Sequence, residues 1–135
     1  MKKLLFVLAI VLLDAPAFAQ TWHTADSKTF AWNAVPPVQP TDVITYQVYI
    51  KDSVSGTPIA YGAPIAGTQQ LVQPTGEGRF FICIESLRLP QGETEAIPSE
   101  RMACSDVATD TQSGIPFGLR YFAPPASVGG LRLAP

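Results

Sequence analysis

Few residues of this chain could perform catalysis. His23 is the single histidine, and a nucleophile needs such a base beside it. Its place near the N-terminal end favours a solvated residue on an edge strand or a frayed end over a general base. Glu93 and Glu95 could form an acid and base pair for glycoside hydrolysis, but they lie in a polar loop where carboxylates are usually solvated. We therefore expect no catalytic residue, and we predict that the protein is not an enzyme.

Metal and cofactor sites find no better support. A zinc site takes three or four His or Cys ligands, whereas the chain has one histidine and two cysteines. Gly76-Glu77-Gly78 lacks the Lys-Ser/Thr that belongs to a phosphate-binding loop, so it indicates a hairpin turn. The sequence predicts neither a metal nor a cofactor.

The first residues have the layout of a secretory signal peptide. Lys2 and Lys3 form a positive region, residues 4–13 form an unbroken apolar run, and Ala17-Phe18-Ala19 is an A-x-A cleavage site. The apolar run is about half as long as the roughly twenty residues that a membrane-spanning helix needs. We predict cleavage between Ala19 and Gln20, a secreted or periplasmic protein, and no membrane span after removal of the signal.

Charge and composition narrow the class further. Residues 20–135 carry seven Lys and Arg against ten Asp and Glu, with no basic run, so nucleic acid is a poor partner. Abundant Pro and Gly divide the chain into short pieces and favour strands over helices. Alternating patterns predict strands, which are bounded by turn residues, at 28–34, 44–50, 59–61, 68–73, 79–87 and 101–107. This spacing is typical of a sandwich or a barrel.

The order of these features resembles a fibronectin type III domain. The matching pieces are Phe30-Ala31-Trp32, Tyr46-Gln47-Val48-Tyr49, Phe80-Phe81-Ile82-Cys83-Ile84 and the loop from Gly92 to Ser99-Glu100 that leads into the last strand. The resemblance covers Trp22 to Thr109 and implies an all-β, seven-strand antiparallel β-sandwich of the immunoglobulin-like class. A Phe replaces the tyrosine that this family usually has near the start of its sixth strand. The expected core consists of Phe30, Trp32, Tyr46, Val48, Phe80, Ile82 and Ile84.

Cys83 and Cys104 are the candidates for a disulfide bond, because export brings both into an oxidising compartment. The bond would close a ring of about twenty residues and stabilise the fold by roughly 3 kcal/mol. The resemblance makes their two strands neighbours. Alternation, however, places the Cys83 side chain on the outward face, opposite to Ile82, and the Cys104 side chain on the inward face with Met102. Because bonded cysteines on neighbouring strands must share a face, the disulfide would need a bulge in one strand.

The resulting domain plan is a signal peptide at 1–19, the sandwich at 20–109 and a Pro/Gly-rich tail at 110–135. The tail either lies back over the domain or flexes in solvent, or it adds a strand to a partner's sheet. Its candidate interaction residues are Phe117, Leu119, Tyr121, Phe122, Leu131 and Leu133.

We expect an exported, non-catalytic binding protein whose partner is a protein or a surface glycan. Loops, an exposed sheet edge and the aromatic side chains of Tyr49 and Tyr61 would provide its contacts. The alternative is a structural subunit or decoration protein of a cell-surface or phage assembly, which would self-associate through the C-terminal tail.

Overall fold

Alternating apolar side chains, interrupted by Pro and Gly, give this chain short strands. The computed structural model describes residues 20–52, 54–111 and 113–125. Their elements are one 3-10 turn (Ala108–Asp110) and the strands β1 (Thr21–Thr24), β2 (Lys28–Ala31), β3 (Val43–Lys51), β4 (Ile59–Ala60), β5 (Gln69–Val72), β6 (Gly78–Leu89), β7 (Ile97–Pro98), β8 (Ala103–Cys104) and β9 (Phe117–Tyr121). The all-β class is confirmed. The signal peptide with Ala19, and the segment that holds Leu131 and Leu133, lie outside the described residues.

The long strand β6 organises the larger sheet. Strand β3 pairs along its whole length with one edge of β6, from Val43 opposite Leu89 to Lys51 opposite Phe81. Its other edge pairs in turn with β9, β8 and β7. Strand β4 continues the sheet beyond β3, and β1 continues it beyond β9.

Two features of the sheets differ from the antiparallel arrangement that was expected. Strand β1 runs parallel to β9, with Trp22 opposite Gly118, so the larger sheet is mixed. The second sheet consists of only β2 and β5, which pair antiparallel. Because β1 joins the larger sheet, it does not pair with β2, and β5 is the only described strand that pairs with β2.

The two sheets pack their inward faces together to form the core. Phe30 and Val72 come from the small sheet, and Val48, Ile82 and Leu119 come from the larger one. Burying each such side chain stabilises the fold by about 1.5–3 kcal/mol. Of the expected core residues, the structure buries Phe30, Tyr46, Val48 and Ile82 and half-buries Trp32, Phe80 and Ile84.

Part of the segment expected to be a Pro/Gly-rich tail, 110–135, belongs to the larger sheet. Strand β9 pairs with the first residues of β6, where Phe80 lies opposite Leu119, and Leu119 is fully buried. The ring of Phe117 stacks on that of Phe30, with centroids 6.0 Å apart. Strand β8 covers only the middle of β6, so the start of β6 had backbone groups left for β9 to pair with. Phe122, by contrast, is exposed.

The disulfide between Cys83 and Cys104 is confirmed, but the expected bulge is wrong. The two cysteines lie directly opposite each other in the β6–β8 ladder, and directly opposite residues share a face of the sheet. Cys104 therefore points outward with Cys83. The mistake in facing arose because β8 begins only at Ala103, so Met102 lies outside the alternation of the strand.

Candidate binding groove

A groove of about 1000 Å³ opens between β2 and the middle of β6. Its floor is apolar and comes from both sheets, with Phe30 and Trp32 on one side and Ile82, Ile84 and Phe117 on the other. Its far wall is the stretch from Ser99 through β8 to Ser113. Mostly apolar floors with a few polar groups are typical of binding sites.

The groove runs beside an edge of β2 that has no strand on it in the described part of the chain. Trp32 N donates a hydrogen bond to Thr68 O at 2.9 Å, which sets the parity of the β2–β5 ladder. Lys28, Phe30 and Trp32 therefore direct their backbone groups toward β5. Thr29 and Ala31 direct theirs the other way, to what we call the open edge. An edge of this kind is a template for another strand.

Trp32 and Tyr46 form the end of the groove floor that lies where the chain leaves β2. The rings of Trp32 and Tyr46 meet edge to face, with centroids 5.6 Å apart. The Tyr46 hydroxyl accepts a hydrogen bond from Val35 N at 2.7 Å, which fixes the chain where it leaves β2. Trp32 Nε1 is buried and has no acceptor among the described residues. A buried donor of this kind favours the approach of an acceptor from outside the described chain.

An ion pair stands on the far wall. Arg101 Nη2 lies 2.6 Å from each oxygen of Asp110, whose side chain is only 12% exposed while that of Arg101 is 66% exposed. Exposed pairs stabilise a fold little. This one ties the 3-10 turn to the chain just before β8, so it holds the wall in place.

The opposite face of β6 is closed. Phe81 and Cys83 lie there, and both are almost fully buried. Lys51 Nζ and Asp106 Oδ2 meet at 2.7 Å with side chains 9% and 3% exposed, and the lysine also donates to Val54 O at 3.1 Å. We call this surface, with its disulfide and ion pair, the closed face.

Trp22 completes the closed face from β1. Its ring lies 5.2 Å from that of Phe81, and it reaches there by crossing Gly118 on β9. A Cβ atom at Gly118 would lie 2.5 Å from Trp22 Cζ3 and 2.8 Å from Phe80 O, so only glycine fits. The Arg79 guanidinium also contacts this ring, with its Cζ 5.4 Å from the Trp22 centroid.

Two titratable groups are shifted by their partners, and both lie outside the groove. The Arg88 guanidinium hydrogen-bonds Asp42 at 2.7 Å and lowers the pKa of that carboxyl. The Tyr49 hydroxyl donates to Glu85 Oε2 at 2.8 Å, and this bond raises the pKa of Tyr49. Both shifts follow from strand pairing, so neither marks a reactive group.

The structure does not bring the candidate chemical residues together as a site. His23 is half-buried on β1, with its ring edge-on to Phe117 at 6.3 Å, while Glu93 and Glu95 are exposed in the loop after β6. Among the described residues no group of three or more His, Cys, Asp or Glu could hold a metal ion. In the same residues no helix is long and apolar enough to cross a membrane.

The expected surface aromatics lie within the fold. Tyr49 and Tyr61 are both half-buried. The Tyr61 hydroxyl accepts a hydrogen bond from Gln73 N at 3.1 Å, and Tyr49 bonds Glu85 as described above. Sequence reasoning missed the groove and the Lys51–Asp106 pair, because each depends on which strands become neighbours. One signal was present: Phe30 and Trp32 put two aromatic side chains on one face of a very short strand.

Comparison with known proteins finds no family model, no curated protein and no solved structure that matches this chain. The site is therefore interpreted from its own geometry.

Proposed function

We propose that this is an exported, non-catalytic binding protein that takes up an extended polypeptide strand along the open edge of β2. One observation carries the proposal: the backbone groups of Thr29 and Ala31 face an edge on which the described part of the chain places no strand, and this edge lies beside an apolar groove. Strand addition uses these two features together, because backbone hydrogen bonds supply affinity and pockets for alternate side chains supply specificity.

The groove favours a protein strand over a glycan as the partner. Its floor is mostly apolar, with Phe30, Ile82, Ile84 and Phe117 beside the Trp32 ring, and Trp32 Nε1 is the one side-chain donor among these residues. The polar side chains lie on the wall and the rim. We therefore expect a partner strand with apolar side chains at alternate positions, facing the floor, and polar side chains between them.

The disulfide supports export, since such bonds persist in oxidising compartments. We also propose a fibronectin type III-like sandwich as its scaffold. Two packed sheets support it, and so does the pairing of β6 with β8, because the resemblance makes the strands of Cys83 and Cys104 neighbours. Strand β1 pairs with β9, and in the described residues no strand pairs with the other edge of β2.

The test uses a proline at the open edge. Ala31→Pro removes an N–H that points away from β5, so it blocks strand addition without breaking the β2–β5 ladder. Its matched control is Ala60→Pro on β4, where Tyr61 N bonds Val48 O and Ala60 N–H therefore also points to an outer edge.

The probe is a library of random ten-residue peptides displayed on phage and selected against residues 20–135. We expect the selected peptides to alternate apolar and polar residues and to bind the Ala60→Pro variant normally. Their affinity for Ala31→Pro should fall roughly tenfold, because a lost donor leaves a peptide carbonyl unpaired at a cost of about 1–3 kcal/mol. Equal binding to both proline variants would contradict the proposal.

A further inference from the structure

We infer that the strand bound along the open edge carries an aspartate or a glutamate, whose carboxylate is received by Arg101 at the Trp32 end of the groove. This inference rests on the proposed function, because it describes the chemistry of the partner that binds at the same edge. It predicts that the partner is recognised by charge at one position and by apolar side chains at the others.

Arg101 and Trp32 lie at the same end of the groove, and Ser86 on β6 relates their positions. Ser86 lies opposite Tyr46 in the β3–β6 ladder, and the Tyr46 ring packs against that of Trp32. Ser86 O also accepts a hydrogen bond from Ser99 N at 2.8 Å, and Ser99 Oγ donates to Arg101 O at 3.1 Å. A strand that lies in the groove therefore passes both Trp32 on the floor and Arg101 on the wall.

The accessible charge at this end of the groove is positive. In the described part of the chain, Arg101 and Asp110 are the charged residues that line the groove, and their side chains are 66% and 12% exposed. The carboxylate is therefore largely covered, whereas the guanidinium is open to solvent. Glu100 precedes Arg101 in the chain but does not line the groove. An acidic side chain on the partner complements this charge, and a basic one would be repelled.

Arg101 keeps hydrogen-bonding capacity for a partner. A guanidinium donates from Nε, Nη1 and Nη2, and both of the bonds to Asp110 come from Nη2. Nε and Nη1 therefore remain available to a second carboxylate, which arginine commonly binds through two parallel hydrogen bonds. Because Asp110 already orients the guanidinium, less side-chain freedom is lost when this second carboxylate binds.

Other polar side chains of the groove also favour an acceptor on the partner. Trp32 Nε1 is buried and has no acceptor among the described residues. The wall hydroxyls donate to the wall's own backbone: Thr111 Oγ1 bonds Ala108 O at 3.0 Å, and Ser113 Oγ bonds Ile115 O at 3.4 Å. The indole and the guanidinium are thus donors that still lack an acceptor, and an ionised carboxylate accepts without donating.

The first readout is the sequence of the selected peptides. Aspartate or glutamate should be enriched at one position of those peptides whose binding depends on Ala31. A selection in which the Ala31-dependent peptides show no acidic position would overturn the inference.

The second readout compares one selected peptide, with glutamate at the acidic position, and the same peptide with glutamine there. We expect the glutamate peptide to bind the original protein about tenfold more tightly than the glutamine peptide does. On Arg101→Gln the two peptides should bind within about twofold of each other. The glutamine peptide should bind Arg101→Gln as it binds the original protein, which shows that the variant keeps its groove.

Two further variants separate recognition of a carboxylate from support of the wall. Asp110→Asn keeps an oxygen for Arg101 but removes the competing charge, so the glutamate peptide should bind it about two- to fivefold more tightly. Glu100→Gln is the matched control, because it changes a charge beside Arg101 outside the groove lining; both affinities should stay within about twofold. If Arg101→Gln and Asp110→Asn weaken both peptides equally, the pair only supports the wall and the inference is overturned.

The two proposals fail differently. If peptides depend on Ala31 but bind Arg101→Gln as tightly as the original protein, only this inference fails. If acidic peptides depend on Arg101 but bind Ala31→Pro normally, a carboxylate binds in the groove without strand addition, and the proposed function fails. Both are supported if Ala31→Pro weakens both peptides while Arg101→Gln weakens only the glutamate peptide.

Discussion

The two faces of β6 differ in how completely the rest of the chain covers them. On the closed face, Phe81 and Cys83 are 3% and 0% exposed, beneath Trp22, a disulfide and a buried ion pair. On the other face, Ile84 is only half-buried and opens into the groove. The strand is the same, so the difference comes from what the rest of the chain places over each face.

The comparison separates stability from recognition. The closed face is covered by the Trp22 ring, the disulfide and the Lys51–Asp106 ion pair, so it exposes little apolar surface to a partner. The groove face is covered by the sheet of β2 and β5, and the described residues place no third strand on the outer edge of β2. Apolar surface beside unpaired backbone is costly to leave exposed, and here the two coincide. The closed face therefore contributes to stability, and the groove face is the one on which we propose that a partner binds.

Of the changes that test this comparison, breaking the Lys51–Asp106 ion pair should lower the free energy of unfolding most. Asp106→Ala leaves Lys51 buried beside the Phe81 ring without its carboxylate, which should lower the free energy of unfolding by about 3–5 kcal/mol. The double variant Lys51→Met/Asp106→Leu removes both charges and should be within about 1 kcal/mol of the original protein. Urea denaturation at neutral pH measures both. An Asp106→Ala loss below about 1 kcal/mol would mean that water reaches the pair and that the face is not closed.

A smaller loss of stability is expected from a substitution at Gly118, because the Trp22 ring lies directly over this residue. Gly118→Ala pushes a methyl group against the Trp22 ring and Phe80 O, so we expect a loss of about 1–3 kcal/mol. The matched control is Gly76→Ala, where a Cβ would meet nothing within 4 Å; its effect should stay within about 0.5 kcal/mol. Thermal unfolding of the two variants checks the difference. Similar melting temperatures would show that Trp22 moves freely and does not seal the face.

The smallest effect on stability is expected from the Asp42–Arg88 pair, which lies where β3 begins and β6 ends. The lowered pKa of Asp42 means that its contribution to stability is present above its ordinary value of 3.8 and is lost as the pH falls below that value. Asp42→Asn should therefore flatten the acid side of the stability profile. Melting temperatures from neutral pH to about pH 2.5 provide the test. An unchanged acid limb in Asp42→Asn would show that the pair adds no pH dependence.

Local pattern was enough to predict the strands that carry the strongest alternation. The predicted strand at 44–50 corresponds to β3 and that at 79–87 corresponds to β6, because both combine alternation with aromatic and β-branched side chains. Weaker patterns located β2, β4 and β5 with small shifts of their ends. Strand β9 was assigned to a tail, since its apolar side chains had no visible partner along the sequence.

The groove and the closed face could not be predicted in the same way. Pairing Lys51 with Asp106 requires β3 and the end of β8 to flank Phe81, and these segments are far apart in the chain. The open edge arises because β1 pairs with β9 instead of β2. Both outcomes depend on competition between strands for the same neighbours, which local alternation does not encode.

The sequence by itself determined the strand-forming character of this protein, its short elements and the two cysteines that become bonded. These follow from side-chain volume, alternation and turn residues, all of which act over a few neighbours. Only the tertiary structure decided that both cysteines share the closed face, that β9 lies inside the larger sheet and that no described strand pairs with the outer edge of β2. The reason is that long-range contacts decide which face a side chain occupies and which strands pair. When one strand pairs with an edge, that edge is no longer available to another strand.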